Sequence, residues 1–281
     1  IGSRALSEFW IIDHSTTTLE AASSQGGNSG MGGDFLYRWG NPAAYDRGTP
    51  DDRVLFGQHN VQWIDSDLPG GDNLLLFNNG RNRPDGDYST VDELTLPING
   101  YNYIIEENEP YGPSNLEWTY VADNPEDFFA DHISGCQRLE NGNTLVCSGP
   151  NGWFFEVSQV GDIVWEYINP VHGNIILNQG EFIEDGGFGA DFGPSNSVFR
   201  CEKYDLDFQG FLGYNLLSGL PIEGPPYIYP ELCVQTSLDE LFTNKKVLIS
   251  LDVLGRSLSN KNGWIFTLYN DGSVSKQYNL K

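Results

Sequence analysis

The feature that most limits the possible folds is a strand pattern that recurs along the first 170 residues. Short runs rich in apolar and aromatic residues carry a tryptophan and are followed by an Asn-Pro turn, at Trp39, Trp118 and Trp165. The preceding runs repeat too, because residues 59–64 align with 134–139 and residues 73–77 align with 143–147. A period of about forty residues, with a turn roughly every 8 to 12, is typical of β-propeller blades.

This pattern predicts an all-β chain whose residues 1–220 form a partial β-propeller, with a β-sandwich as the alternative. The first blade would survive in part, as residues 8–12 and the Trp39 strand. The second and third would span residues 56–125 and 132–170, and a partial fourth would be anchored by Ser197–Cys201. Three blades and part of a fourth are too few to close the ring of a propeller. We therefore expect further strands to precede Ile1.

Composition supports this class and excludes some partners. The chain has 33 glycines, 15 prolines and 13% aromatic residues, which favour short strands and frequent turns. Its 39 acidic and 15 basic residues give a net charge of −24, so a nucleic-acid partner is not expected. No apolar run reaches the ~20 residues that would cross a bilayer, and no membrane span is predicted.

Two polar stretches, residues 15–33 and 175–196, are predicted to be long surface loops.

The cysteines leave their pairing open. A two-residue turn at Asn141-Gly142 would place Cys136 directly opposite Cys147 on neighbouring strands, where a disulfide could form. Two buried free thiols fit the sequence equally well. Cys201 and Cys233 have no obvious local partner.

One hairpin carries the strongest candidate for chemistry. Residues 56–64 and 73–80 read as two strands joined by a Pro-Gly-Gly turn, and His59 begins the first strand. His59 is either a nucleophile or a polar residue at a strand end. Ser134 holds the same place in the next unit, so Ser134 and Asn79 are predicted to line a substrate pocket. The alternative is that both satisfy backbone groups at strand ends.

Four collinear elements resemble the aryl-sulfate sulfotransferases of bacteria, over roughly residues 1–217. They are Gln58-His59-Asn-Val-Gln-Trp, Leu76-Phe-Asn-Asn79-Gly80, Leu139-x-Asn-Gly-Asn-Thr-Leu and Phe155-Glu-Val-x-x-x-Gly-x-Ile-Val-Trp165-Glu-Tyr. The resemblance implies a six-bladed propeller with its active site in the central channel. It also implies transfer of a sulfuryl group from a phenolic sulfate ester to a phenol, with no cofactor and no metal. A non-catalytic, ligand- or partner-binding propeller of the same descent is the alternative.

The resemblance assigns two catalytic residues in this chain. The histidine that becomes transiently sulfated matches His59, and an arginine matches Arg4, in Ser3-Arg4. A His-x-Asn pair and another histidine of the family would lie before Ile1. The residue types suit the chemistry, because neutral imidazole is a nucleophile near pH 7 and guanidinium offers a fork of donors to sulfuryl oxygens.

The other histidines receive structural interpretations. His14 is predicted to lie in a turn and His172 on the solvent-exposed surface. His132 is predicted to lie in a loop, and an approach to the channel is the alternative. No His/Cys/Asp spacing matches a zinc site, and no Gly-x-Ser-x-Gly nucleophile motif is present.

The C-terminal part changes character. Residues 221–235 are proline-rich and predicted to be a linker, and residues 236–281 return to a β pattern with a turn at Asp271-Gly272. Asp252-x-x-Gly255-Arg256 and Tyr269-x-Asp-Gly-x-Val274 resemble the C-terminal sorting domain of the type IX secretion system of Bacteroidetes. This implies that the secretion machinery is a partner and that the protein is secreted or displayed on the cell surface. An ordinary carbohydrate-binding or structural β module is the alternative.

Overall fold

The computed structural model of the 281-residue chain describes residues 1–183, 196–217, 221–223, 247–251, 263–269 and 274–279. The chain divides into two compact units, residues 1–224 and 225–281. Most of the predicted linker and the Asp252, Gly255 and Arg256 motif lie outside the described residues, so these interpretations stay predictions.

Short strands make up most of the regular structure of the first unit. They are β1 (Gly2–Ser3), β2 (Glu8–Ile12), β3 (Phe35–Trp39), β4 (His59–Trp63), β5 (Leu74–Asn78), β6 (Thr90–Leu94), β7 (Ile98–Asn99), β8 (Asn102–Tyr103), β9 (Trp118–Tyr120), β10 (Gly135–Arg138), β11 (Thr144–Ser148), β12 (Trp153–Val157), β13 (Ile163–Ile168), β14 (Val171–His172) and β15 (Ile175–Ile176). The described helices are the one-turn α1 (Thr18–Ala21) and 3-10 turns at Arg4–Leu6, Pro42–Tyr45, Pro50–Asp52, Pro125–Asp127 and Gln209–Phe211.

Eleven of these strands form three antiparallel sheets that follow one another in chain order. The first sheet is β1-β2-β3, the second is β4-β5-β6-β9 and the third is β10-β11-β12-β13. Each ends on a strand that contains one of the repeated tryptophans, Trp39, Trp118 or Trp165. The all-β class and the repeat of sheets along the chain are therefore confirmed.

The second sheet is buried on both faces, which explains the continuous apolar run of β5. Leu74 and Leu76 pack with Phe9, Tyr37 and Trp39 of the first sheet. The alternating residues Leu75 and Phe77 pack with Val146, Phe155 and Val157 of the third sheet, since successive side chains of a strand point to opposite faces. All five residues of β5 are buried.

Two side chains near the start of β4, those of Gln58 and Asn60, connect the second sheet to the first and third sheets. Gln58 Nε2 donates to the carbonyls of Glu8 (2.7 Å) and Ser3 (3.2 Å) in the first sheet. The backbone N–H of Cys136 in the third sheet donates to Asn60 Oδ1 at 2.8 Å. The first strands β1, β4 and β10 are thus held next to one another, and the candidate site lies at one end of them.

The register of the third sheet corrects the predicted cysteine pair. Arg138 pairs with Thr144 and Gly135 pairs with Cys147, so Cys136 faces Val146 rather than Cys147. The hairpin loop has three residues, Glu140 to Gly142, with Gly142 at φ 84°, instead of the predicted two. A one-residue change of register sends the two thiols to opposite faces of the sheet, and a Cys136–Cys147 disulfide is excluded.

Three predictions for segments outside the three sheets have different outcomes. The predicted surface loop 175–196 begins with the short strand Ile175–Ile176, and its residues 184–195 lie outside the described residues. Residues 15–33 form a polar surface loop, as predicted, around the short helix α1 and its capping box of Thr17 and Glu20. Ser197–Cys201 does not form the strand predicted for a fourth blade. Residues 196–203, which we call the strap, instead attach to the third sheet largely through side chains, with one backbone bond from Val198 N–H to the Gly149 carbonyl (2.9 Å).

The second unit contains one antiparallel three-stranded sheet. Its strands are β16 (Val247–Leu251), β17 (Gly263–Tyr269) and β18 (Val274–Asn279), in the order β16-β17-β18. Leu268 pairs with Val274 and Trp264 with Tyr278, which is the hairpin predicted around Asp271-Gly272. Among the described residues, none of the helices is long and apolar enough to cross a membrane.

A buried ion pair between the second and third sheets yields a stability prediction. Arg138 Nη2 lies 2.5 Å from Glu93 Oε2, and both side chains are only 4% exposed. Arg138→Met should lower the free energy of unfolding by about 3–5 kcal/mol, because it leaves the Glu93 carboxylate buried without its cation. Urea denaturation measures this loss. The double variant Arg138→Met, Glu93→Gln should recover part of it, and unchanged stability of the single variant would contradict the assignment.

Candidate active site

His59 is the first residue of β4, and its imidazole is half-buried. Its Nδ1 lies 2.7 Å from Oδ1 of Asn79, which follows β5 on the neighbouring strand. The pairing of His59 with Phe77 in the ladder brings the two side chains to the same end of the sheet. The predicted hairpin is therefore what places them together.

The hydrogen bonds of Asn79 determine which nitrogen of His59 carries the proton. Asn79 Nδ2 donates to the carbonyls of Ala130 (2.7 Å) and Ile133 (3.1 Å), so the oxygen of its amide must face His59. An amide oxygen only accepts, and Nδ1 of His59 is therefore the protonated nitrogen. The lone pair of the neutral imidazole is then on Nε2, the nitrogen available for nucleophilic attack.

The surroundings keep this imidazole neutral. Burial lowers the pKa of His59 below its ordinary value, and the nearby charges of Arg4 and His132 act in the same direction. Hydrogen bonds to Asn79 and to the backbone of Gly57 oppose them but do not reverse the shift. At neutral pH the imidazole of His59 is therefore uncharged, with its one ring proton on Nδ1.

Arg4 lies in the turn of the β1–β2 hairpin, next to the strand that carries His59. Its Cγ is 4.0 Å from the position that a Cβ on Gly57 would occupy, and its guanidinium is close enough to His59 to affect the imidazole pKa. Gln58 holds this hairpin against the second sheet through its bonds to Ser3 and Glu8. The structure thus brings the two predicted catalytic residues, His59 and Arg4, together.

The two predicted pocket residues are engaged with the protein itself. Asn79 is fully buried, with its amide shared between His59 and the carbonyls of residues 130 and 133. Ser134 is 2% exposed; its hydroxyl donates to the His132 carbonyl (3.1 Å) and accepts from the Gly149 N–H (3.0 Å). Contact of either side chain with a substrate stays a prediction.

The loop that Asn79 holds contains His132, the histidine predicted to have a loop role rather than to approach the channel. His132 lies near enough to His59 to influence its pKa, and its Nδ1 contacts Oδ1 of Asp131 in a short hydrogen bond. The sequence signal that could have identified His132 as a functional residue is the preceding Asp131, because a carboxylate beside an imidazole is a common acid–base pair. Its proximity to His59 depends on contacts between residues some seventy positions apart.

Backbone strain is concentrated around these residues. Asn60, Ile133 and Ser134 have φ values of 52°, 44° and 83°, in the region that L-residues rarely adopt. Each such residue costs about 1–3 kcal/mol, and a β-branched residue such as Ile133 is especially disfavoured there. The bonds of Asn79 to Ala130 and Ile133, and those of Ser134, hold the loop in this conformation.

The remaining histidines lie elsewhere. His14 is exposed in the turn after β2, as predicted. His172 was predicted to be solvent-exposed but is only 7% exposed, because it lies on the covered side of the β14–β15 hairpin. Within the described residues, no group of three His, Cys, Asp or Glu side chains could hold a metal ion.

The environment of His59 predicts how its pKa responds to substitution. Arg4→Gln removes a positive charge and should raise the pKa, and Asn79→Asp should also raise it by placing a carboxylate beside Nδ1. NMR titration resolves this, since the chain has only four histidines. Arg47→Gln is the control and should leave the His59 pKa unchanged, because that guanidinium binds the carbonyls of Glu106 and Glu109. A fall in pKa in either test variant would contradict this account.

Comparison with known proteins gives one match. Residues 41–176 match the family model of the arylsulfotransferases (ASST). No curated protein and no solved structure matches the chain. The matched segment includes His59, Asn79, His132 and Ser134, whereas Arg4 lies before it. This match supports a place for the chain in the arylsulfotransferase family.

Proposed function

We propose that this protein is an aryl-sulfate sulfotransferase that passes a sulfuryl group from a phenolic sulfate ester to a phenol through a sulfo-histidine at His59. One observation carries the proposal: the hydrogen bond from Nδ1 to Asn79 leaves the Nε2 lone pair of a neutral imidazole available for attack. The arylsulfotransferase match over residues 41–176 supports the substrate class.

In the first half-reaction, Nε2 of His59 attacks the sulfur of the donor ester. A nitrogen–sulfur bond forms, the bond between sulfur and the phenolic oxygen breaks, and the phenol leaves. The Arg4 guanidinium, whose charge acts on the imidazole of His59, would hold the sulfuryl oxygens and offset the charge that develops on them. Asn79 stabilises the sulfated imidazole by continuing to accept from Nδ1.

In the second half-reaction, an acceptor phenol attacks the sulfur and releases neutral His59. The departing phenolate of the first step needs a proton, and the attacking phenol of the second must lose one. His132, which is near His59 and is paired with Asp131, is the group that we assign to both transfers. It returns to its starting protonation state after the two steps.

The three sheets support the propeller interpretation of the first unit. They follow one another in chain order, pack face to face and keep their first strands adjacent, which is how blades surround a hub. His59 and the loop of Ser134 would both face that hub at the ends of β4 and β10. The six-bladed ring, the channel and the pocket roles of Asn79 and Ser134 belong to this proposal.

The destination of the protein is proposed from its C-terminal sequence. The resemblance of residues 236–281 to a type IX sorting domain favours export to the cell surface or medium. The three-stranded sheet of β16–β18 is compatible with a small β module of this kind. The secretion machinery would then be the partner of the second unit, separate from the phenolic substrates of the first.

The catalytic role of His59 is tested by sulfuryl transfer. With 4-nitrophenyl sulfate and phenol, the protein should release 4-nitrophenol and form phenyl sulfate, and His59→Ala should reduce the rate by roughly 10³-fold or more. Mass spectrometry of protein quenched without acceptor should detect one added SO3 group on His59. His14→Ala, in an exposed turn, is the matched control and should keep full activity. A folded protein that releases no phenol would favour the binding-only propeller, and release independent of acceptor would favour a hydrolase.

The role of His132 is tested with leaving groups of different basicity. His132→Gln should slow the first half-reaction with phenyl sulfate, measured as phenol released in a single turnover, by on the order of 10²-fold, because a basic phenolate needs a proton as it leaves. With 4-nitrophenyl sulfate the same single-turnover release should be much less reduced, since 4-nitrophenolate leaves without protonation and the acceptor takes no part in this half-reaction. Asp131→Asn should show the same pattern more weakly. An equal loss on both donors would assign His132 a purely structural role.

A further inference from the structure

Two thiols, those of Cys147 and Cys201, lie in the same part of the outer face of the third sheet. Val146 and Phe155 face the second sheet, so their neighbours Cys147 and Phe154, which pair across β11 and β12, point away from it. The strap covers this outer face, and its Cys201 shares a cavity wall with Leu145 and Phe154, which flank Cys147. Both cysteines are present as free thiols.

The strap brings the two thiols to the same part of this face. The Cys147 thiol donates a hydrogen bond to the carbonyl oxygen of Val198, three residues before Cys201 in the strap, at 3.8 Å. Interaction between the two thiols lowers the pKa of Cys201 and raises that of Cys147, and burial raises the pKa of Cys147 further. Cys201 is the more accessible and more easily ionised member of the pair.

Independent contacts hold the strap in place on either side of Cys201. Asn196 Nδ2 donates to the carbonyls of Asn151 (3.1 Å) and Asn169 (3.2 Å). At the other end, the backbone of Lys203 exchanges two hydrogen bonds with the Gln137 side chain, at 2.8 and 2.9 Å, and its Nζ lies 3.1 Å from Glu156 Oε2. The position of Cys201 over Cys147 is therefore set by several residues of the strap.

We infer that Cys147 and Cys201 are a disulfide-forming site that fastens the strap to the third sheet. The oxidant is a small or protein disulfide. The Cys201 thiolate attacks one of its sulfurs, which breaks the oxidant's S–S bond and releases one thiol. Cys147, after losing its proton, then attacks the Cys201 sulfur of the mixed disulfide and releases the second thiol. Two cysteine thiols are oxidised and one external disulfide is reduced to two thiols.

The cross-link would act on a segment that supports the strained loop. Val198 of the strap donates to the Gly149 carbonyl, and the Gly149 N–H donates to Ser134 Oγ. A Cβ on Gly149 would lie 2.6 Å from the Val198 oxygen and 2.7 Å from Ile133 Cγ1, so the strap and the loop leave room there only for glycine. Joining residues 147 and 201 closes a loop of roughly fifty residues, a length for which a disulfide restricts the unfolded chain strongly.

Peptide mapping tests the assignment on the whole 281-residue chain. After incubation with oxidised glutathione, alkylation and digestion without reductant, we expect one disulfide-linked peptide pair that contains Cys147 and Cys201. A Cys233→Ser variant should give the same pair. Alkylation of both Cys147 and Cys201 in the oxidised protein, or linkage of either to another cysteine, would overturn the inference.

Thermal unfolding gives a second test. Reductant should lower the melting temperature of the oxidised protein by about 5 °C or more, and Cys201→Ser, whose site is half-buried, should abolish this difference. Cys136→Ala is the control, because its thiol lies in the core on the opposite face and should leave the effect of reductant in place. A melting temperature that does not respond to reductant in the wild-type chain would count against the cross-link. Neither measurement depends on sulfuryl transfer, so the result stands apart from the proposed function.

Discussion

The amide of Asn79 is the interaction on which the candidate site depends. It joins three parts of the chain: the end of β5, the first residue of β4 and the loop before β10. One side chain thereby sets the tautomer of His59 and holds the strained conformation of Ile133. Because the amide is fully buried, its hydrogen bonds have no water to replace them, and loss of one would leave an unsatisfied polar group. Orientation of the nucleophile and shape of the neighbouring loop are thus linked.

The second sheet supplies the rigidity behind this arrangement. It is packed between the other two sheets, with apolar side chains of β5 entering both cores. The polar residues at one end of β5 and β6 are also buried, and Asp92 accepts hydrogen bonds from Thr119 (2.7 Å), Thr90 (3.0 Å) and Asn78 (3.2 Å). Burial raises the pKa of Asp92, and these bonds partly offset the effect. His59 and Asn79 therefore project from strands that have little freedom to move.

The third sheet differs from the second in what covers its outer face. Where the second sheet has another sheet on each side, the third has the strap, which attaches largely through side chains. Trp165 and Tyr167 on this face remain 49% and 37% exposed. The strap reaches the candidate site through Gly149 and Ser134, so the outer face of this sheet and the loop beside His59 are physically connected.

Residue patterns within short segments were enough to predict the local structure: strand positions, the tryptophan in the last strand of each sheet, the hairpin that starts at His59 and the hairpin near the C-terminus. These follow from alternating apolar residues and turn residues that lie close together in the chain. The sequence also singled out His59 and Arg4, which the fold brings together. The other features depend on long-range contacts in the folded chain. A loop one residue longer than expected separated Cys136 from Cys147, the strap brought Cys201 to Cys147, and packing buried His172. Asn79 became the support of His59, and His132 came near it, through contacts between distant residues that no local pattern specifies.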